Sequence, residues 1–119
     1  MHKPTSIRVD KPWGNFTQYV LNGQCTVKIL TCDPGQQLSL QRHRHRDELW
    51  IVLDHGAIVE IDGCNFNVDI GDEVWLPVGS VHRLSCNTSA SSSIRVLEIS
   101  FGNFSEDDIE RFDDIYKRT

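Results

Sequence analysis

Residues 40–50 read LQRHRHRDELW and bring Gln41, His43, His45 and Glu48 within eight positions. In an extended chain, residues two apart face the same way. Gln41, His43 and His45 then share one face, and Arg42, Arg44 and Arg46 share the other. A polar trio on a face that ought to be apolar is costly unless partners are present. A metal ion is one such partner, because imidazole nitrogen and carboxylate oxygen suit zinc, iron, manganese or nickel. The alternative is a solvated, basic surface strand. Glu48 opens the next apolar segment, and Trp50 lies two residues on, facing the same side. A second stretch, GDEVWLPVGSVHRL, carries Gly71, Pro77, Gly79 and His82. Its glycines permit tight turns and its proline marks an edge. His82 begins the returning segment, and taken alone it is more readily a hydrogen-bonded polar residue than a ligand.

The elements that must position these residues are strands. From about residue 15 to about 101, short segments such as CTVKILT, ELWIVLD, AIVEID, EVWLPV and SIRVLEISF are rich in β-branched and aromatic residues. Turn signals divide them, among them Asn22-Gly23, Asp33-Pro34-Gly35, Asp62-Gly63 and Pro77-Val78-Gly79. Many short strands at this spacing predict an all-β sandwich or barrel. The tail reads differently. Ser105 is a good N-cap, acids follow it, and Ile109, Phe112 and Tyr116 recur at helical spacing, so a short helix is predicted over about 105–117, packed on the barrel. No repeat, linker or second domain is visible, and residues 1–119 are expected to form a single domain.

The chain has 119 residues and a formal net charge of -5, which argues against nucleic acid as a partner. No apolar run reaches the roughly 18 residues of a membrane span, and MHKPTSIRVD has no apolar signal core. A cytoplasmic protein with no membrane partner is therefore expected. Cys25, Cys32, Cys64 and Cys86 form no C-x-x-C, and free thiols are expected.

The two polar segments together resemble the paired motifs of the cupins. The second matches G-x5-P-x-G-x2-H at Gly71, Pro77, Gly79 and His82. The first fits H-x-H-x4-E when read as Gln41-x-His43-x4-Glu48, with glutamine in place of the first histidine. The ligand set implied by this resemblance is Gln41, His43, Glu48 and His82, with His45 a pocket residue or a rival to Gln41. KPWG (Lys11 to Gly14), PGQQLSLQRHRHRDELW, LPVGSVHRL and EDDIERFDDIY carry the resemblance further, to the type II phosphomannose isomerases, over about residues 8–118. That family includes the C-terminal domain of bifunctional mannose-1-phosphate guanylyltransferases. Two positions depart from its pattern. Leu49 stands where a histidine is common and should point away from the pocket. His55 stands where a turn glycine is usual, with Gly56 next, and is expected at the surface.

The resemblance implies a jelly-roll β-barrel and a divalent ion, zinc first, with manganese, cobalt, nickel or iron as alternatives. It also implies interconversion of mannose 6-phosphate and fructose 6-phosphate through an enediol. That chemistry needs a Lewis acid for the sugar oxygens and a base for the carbon-bound proton. Lys28, Glu98 and His45 are the candidates for the base. Lys28 is only a solvent-facing strand residue if Val27 and Ile29 pack in the core, and Glu98 is equally readable as a salt-bridge partner. Arg46, Arg83 and Lys11 are candidates for the phosphate, and Trp50 for a sugar-stacking face. The bland reading of the arginines is a soluble barrel edge. Trp13 and Trp75 are assigned to core or dimer contacts, since a homodimer is expected. The competing functions are a non-catalytic cupin that binds a sugar or small ligand, and another metal-dependent cupin enzyme such as a dioxygenase.

Overall fold

The computed structural model describes Lys3 and residues 5–117. Among them eleven strands form: β1 Ile7–Lys11, β2 Gly14–Gln18, β3 Cys25–Cys32, β4 Leu40–Arg42, β5 Asp47–Val52, β6 Ala57–Ile61, β7 Cys64–Val68, β8 Glu73–Leu76, β9 His82–Cys86, β10 Ile94–Phe101 and β11 Glu110–Asp113. β1 and β2 make a hairpin of their own, with Pro12 and Trp13 at its tip. The rest forms two antiparallel sheets, ordered β3-β10-β5-β8 and β11-β4-β9-β6-β7. Their inner faces meet in one core of Cys32, Trp50, Val52, Ala57, Val59, Leu76, Leu84, Cys86, Ile94 and Val96. This is the packed, alternating pattern expected of a double-sheet jelly roll. Among the described residues no helix is long and apolar enough to cross a membrane. All four cysteines are free thiols.

The turns follow from their residues. Asp62 (φ 48°) and Gly63 (φ 86°) both take positive φ and close the two-residue β6–β7 hairpin, the Asp-Gly turn whose twist matches its strands. Gly79 (φ 85°) reverses the chain ahead of β9, and nothing lies near the place its Cβ would occupy. Backbone conformation, not space, requires glycine there.

One element differs from expectation. The segment predicted to be helical over 105–117 makes a single turn at 105–108, closed by the Asp108 N–H to the Ser105 carbonyl (3.1 Å), and then runs as β11. β11 pairs Glu110 with Arg42 and Arg111 with Gln41, completing the edge of the five-stranded sheet beside the short β4. The edge of β4 offers backbone partners that a helix could not satisfy, and this tertiary demand overrides a modest helical preference. Ser105 still caps, but it caps only that turn, its hydroxyl accepting from the Asp107 N–H (3.2 Å).

Candidate metal centre

The inner face changes character toward one end of the barrel. Glu48 on β5, Glu98 and Ser100 on β10, and His82 on β9 are all buried there, beside His43 in the β4–β5 connection. His43, Glu48 and His82 are 4%, 1% and 2% exposed, and one donor atom from each lies within 4.8 Å of the others. Glu48 Oε1 is 3.5 Å from Nε2 of His43 and 3.5 Å from Nε2 of His82.

Hydrogen bonding fixes what those atoms are. His43 Nδ1 donates to the Asp108 carbonyl at 2.6 Å, and His82 Nδ1 donates to the Ser80 carbonyl at 3.1 Å. These partners assign the tautomers and leave a lone pair on each Nε2; that of His43 accepts from Arg46 Nη2 at 3.4 Å, and that of His82 has no hydrogen-bond partner. The lone pairs and Glu48 Oε1 face a common point. Glu48 Oε1 and His82 Nε2 are buried with no hydrogen-bond partner, a costly arrangement unless something positive serves them. An ion about 2.0–2.2 Å from each tetrahedral ligand separates those ligands by roughly 3.3–3.6 Å. The residues therefore fit a divalent ion. Backbone carbonyls holding the outer nitrogens of both histidines are the usual support for such a site.

The surroundings set the charges. Burial alone would raise the Glu48 pKa, but the His82 ring and the charges of His43, His82 and Arg46 outweigh it and hold the carboxyl down at about 2. Burial depresses His43 below its ordinary value, and Glu48 and the Asp108 carbonyl oppose this only in part. Arg46 donates from Nε to Glu48 Oε2 (3.0 Å), and the Ser100 hydroxyl donates to the same oxygen (3.2 Å). Glu48 thus keeps one oxygen engaged and turns the other toward the histidines.

Local sequence explains the placement. Asp47 Oδ1 accepts the Val78 N–H (2.7 Å) and the His43 carbonyl accepts the Gly79 N–H (2.9 Å). The 77–80 turn therefore hangs from the His43–Asp47 segment, and His82 enters β9 beside His43. Gln41 pairs in register with His82, so the two share a face. Its Oε1 accepts from the Ser39 hydroxyl at 3.1 Å.

Strict alternation across 41–46 fails. β4 ends at Arg42, and the Asp108 carboxylate takes the N–H groups of both Arg44 and His45 (2.9 and 3.0 Å). The chain bends there, leaving Arg44 and His45 exposed and turning Arg46 inward. His45 accordingly stands outside the triad. Arg42 faces outward and pairs with Glu110.

The other expected site residues divide. Glu98 is buried, and one of its oxygens accepts from Trp50 Nε1 at 3.0 Å. Burial first, and then the Glu48 carboxylate, push its pKa above the ordinary value, against Trp50, Arg46 and Lys28. Lys28 pairs in register with Glu98 and shares its inner face, while Val27 and Ile29 stand outside, 55% and 56% exposed. Trp50 is fully buried and edge-on to His82, which makes it part of the wall instead of an open stacking face. Arg83 lies on the opposite side of β9 from His82, bound to Asp113 and Glu60. Lys11 stands on the separate hairpin, over the Phe16 ring. Trp13 at that tip is 72% exposed, and Trp75 packs against Phe101. Leu49 lies on the opposite face of β5 from Glu48, in register with Ile99 and Trp75, and is itself buried, while His55 is exposed and bound to Asp69. Sequence reasoning missed Asp47, Ser100 and Asp108. The only local signal was their polarity beside apolar strand ends.

Two antiparallel sheets around a buried two-histidine, one-glutamate cluster define a cupin barrel. A cupin 2 domain-containing protein from Halorhodospira halophila superposes with a TM-score of 0.67 at 18% identity, covering 92% of this chain and 68% of that one. Residues 2–114 match the family described as Mannose-6-phosphate isomerase C-terminal, and the chain belongs to that family. It is 39% identical over 114 residues to the alginate biosynthesis protein AlgA of Pseudomonas putida, covering 95% of this chain and 23% of the relative. It is 33% identical over 111 residues to a mannose-1-phosphate guanylyltransferase of Escherichia coli, covering 92% and 23%. The chain thus spans about a quarter of the length of these curated relatives.

Proposed function

We propose that this chain is a metal-dependent aldose–ketose isomerase acting on mannose 6-phosphate. The observation that carries the reading is the set of three lone-pair donors turned on one point with the buried Glu98 close by, in a chain of this family. His43, Glu48 and His82 hold the ion, with Gln41 the candidate fourth ligand and zinc the first choice of metal. When bound, the ion would supply Lewis-acid polarisation of the sugar's oxygens. Glu98 is the candidate base. With its proton affinity raised by burial, it takes the proton from C2 of the aldose and returns it to C1, while the C2 hydroxyl proton passes to the C1 oxygen, so the reaction runs through an enediol to a C1 hydroxyl and a C2 ketone. Trp50 holds the Glu98 oxygen that faces it, and Arg46 holds Glu48. His45 is a weaker candidate for the base, since it lies exposed beyond the strand.

A binding-only cupin is the second reading. It is favoured by the near-complete burial of the triad, which suits a closed binding site as well as a reaction centre. Proton exchange separates the two. Zinc-loaded protein with mannose 6-phosphate in deuterated water should show C2 exchange and fructose 6-phosphate by NMR, both lost with chelator and in His43→Ala. Full ion occupancy with no exchange would leave the binding module. We also propose a homodimer. β3 is a sheet edge whose outward Val27 and Ile29 are more than half exposed, and a second copy of the same edge is a self-complementary cover. Light scattering should give twice the chain mass, falling to one chain mass in Val27→Lys/Ile29→Lys.

A further inference from the structure

Between β10 and β11 the chain crosses the polar end of the barrel as a strap, residues 102–109. Both ends of the strap are tied down. At the start, the Gly102 N–H reaches the Gln24 carbonyl (3.3 Å) and Gln24 Nε2 donates to Asn103 Oδ1 (3.0 Å). At the end, Asp108 holds His43 through its carbonyl and the Arg44–His45 turn through its carboxylate. Between these ties the Phe104 ring carries two cations, with Lys28 Nζ 4.0 Å and Arg46 Cζ 4.3 Å from its centroid.

Two like charges on one ring repel each other, so each needs an anion. Arg46 has Glu48, and its Nη1 donates to the Ser105 carbonyl (2.9 Å). It is itself buried and cannot easily change partners. Lys28 has Glu106, whose Oε1 lies 2.6 Å from Nζ. The Glu106 side chain is 77% exposed. An exposed carboxylate on a short strap is the easiest partner to release, because water takes it back and an exposed pair contributes little. Releasing it uncovers an ammonium that shares the inner face with Glu98 and stands beside the arginine that holds Glu48.

We propose that Lys28, with Arg46 beside it, is the anion seat of this site, that it takes the phosphate of a phosphorylated sugar, and that Glu106 is a built-in competitor that must leave for the phosphate to enter. The inference rests on the sugar-phosphate reading above. It assigns Lys28 to binding and leaves Glu98 as the proton carrier. A dianionic phosphate outcompetes a single carboxylate because it offers more charge and more acceptor oxygens to Lys28, in the field of Arg46, which keeps its hold on Glu48. The bound sugar then lies between the seat and the triad, and the strap moves at Phe104–Glu106 while Asp108 keeps its hold on His43.

The test is a titration of the full chain with inorganic phosphate, mannose 6-phosphate and mannose, read by calorimetry and amide NMR, with and without zinc. In Glu106→Gln, phosphate should bind about three- to fivefold tighter, because the competitor is gone. In Lys28→Gln, binding should weaken roughly tenfold, and adding Glu106→Gln should bring no gain, since the two act as one unit. Lys28→Arg keeps the charge and should keep most of the affinity. Mannose, which lacks the phosphate, should bind equally to all. Unchanged or weaker phosphate binding in Glu106→Gln overturns the proposal. So does a gain that persists without Lys28, or phosphate that fails to bind any variant. Should the gain appear while proton exchange from mannose 6-phosphate does not, the seat stands and the isomerase reading falls.

Discussion

The two ends of the barrel are built on the same three strands and could hardly differ more. On β5, Val52 closes one end and Glu48 lies at the other, with Trp50 between them. On β10, Val96 gives way to Glu98 and Ser100, and on β9, Leu84 gives way to His82. All of these residues are buried. One step of two residues, roughly 7 Å along a strand, separates a dry apolar floor from a charged mouth. The floor excludes water from beneath the mouth, and that exclusion raises Glu98 and depresses His43. Packing at the floor and electrostatics at the mouth are thus two halves of one device. Substitutions at adjacent inward positions should separate them.

The largest effect belongs to the mouth. His82→Ala removes a ligand, and the loss of zinc affinity in a competitive chelator titration should exceed the roughly 10–100-fold typical of losing a supporting residue. Proton exchange should vanish with it. Glu98→Gln keeps the shape of the side chain and an acceptor for Trp50. It should retain zinc yet slow C2 exchange by about 10²–10⁴-fold, the usual contribution of a positioned base. Two residues from His82 on the same strand, Leu84→Ala should do the reverse. It should cost about 2–5 kcal/mol in urea unfolding, while the folded fraction binds zinc with unchanged stoichiometry. An equal loss of zinc in both variants would mean that floor and mouth are not separable.

Smaller effects sharpen the boundary. Asp108→Ala leaves the carbonyl that holds His43 but frees the two N–H groups of the 44–45 turn, and should cost about 1–3 kcal/mol, with zinc affinity reduced less than in His82→Ala. Acid should act on the ion-free protein in two stages. His43 is depressed below 6.5, so the unfolded chain takes up that proton first and stability falls as pH drops through 6.5 toward the lower folded value. Glu48 titrates at about 2 against 4.5, so its contribution is full above 4.5 and is lost between there and about 2. Urea midpoints across that range should show both stages, and His43→Ala should remove the first and narrow the second, since His43 helps hold Glu48 down.

Much of this was legible without coordinates. Period-two patterning and the Gly, Pro, Asn and Asp turns define a β-barrel, because strand formation and hairpin chemistry are local properties of the chain. The resemblance to the two cupin motifs, carried by Gln41, His43 and Glu48 and by Gly71, Pro77, Gly79 and His82, pointed to both halves of the candidate centre, since each motif is a short strand–turn–strand stretch of the chain. The tertiary structure decided what depends on distant partners. Asp108 bends the 43–46 segment, sends His45 out and brings Arg46 in against Glu48, a contact that strict alternation forbids. The free edge of β4 draws residues 110–113 into a strand where helical spacing suggested a helix. The outward placement of Val27 and Ile29 turns Lys28 inward, toward Glu98 and the strap. Each of these outcomes depends on backbone donors or charges more than twenty residues away along the chain, and no local pattern encodes which of them will arrive.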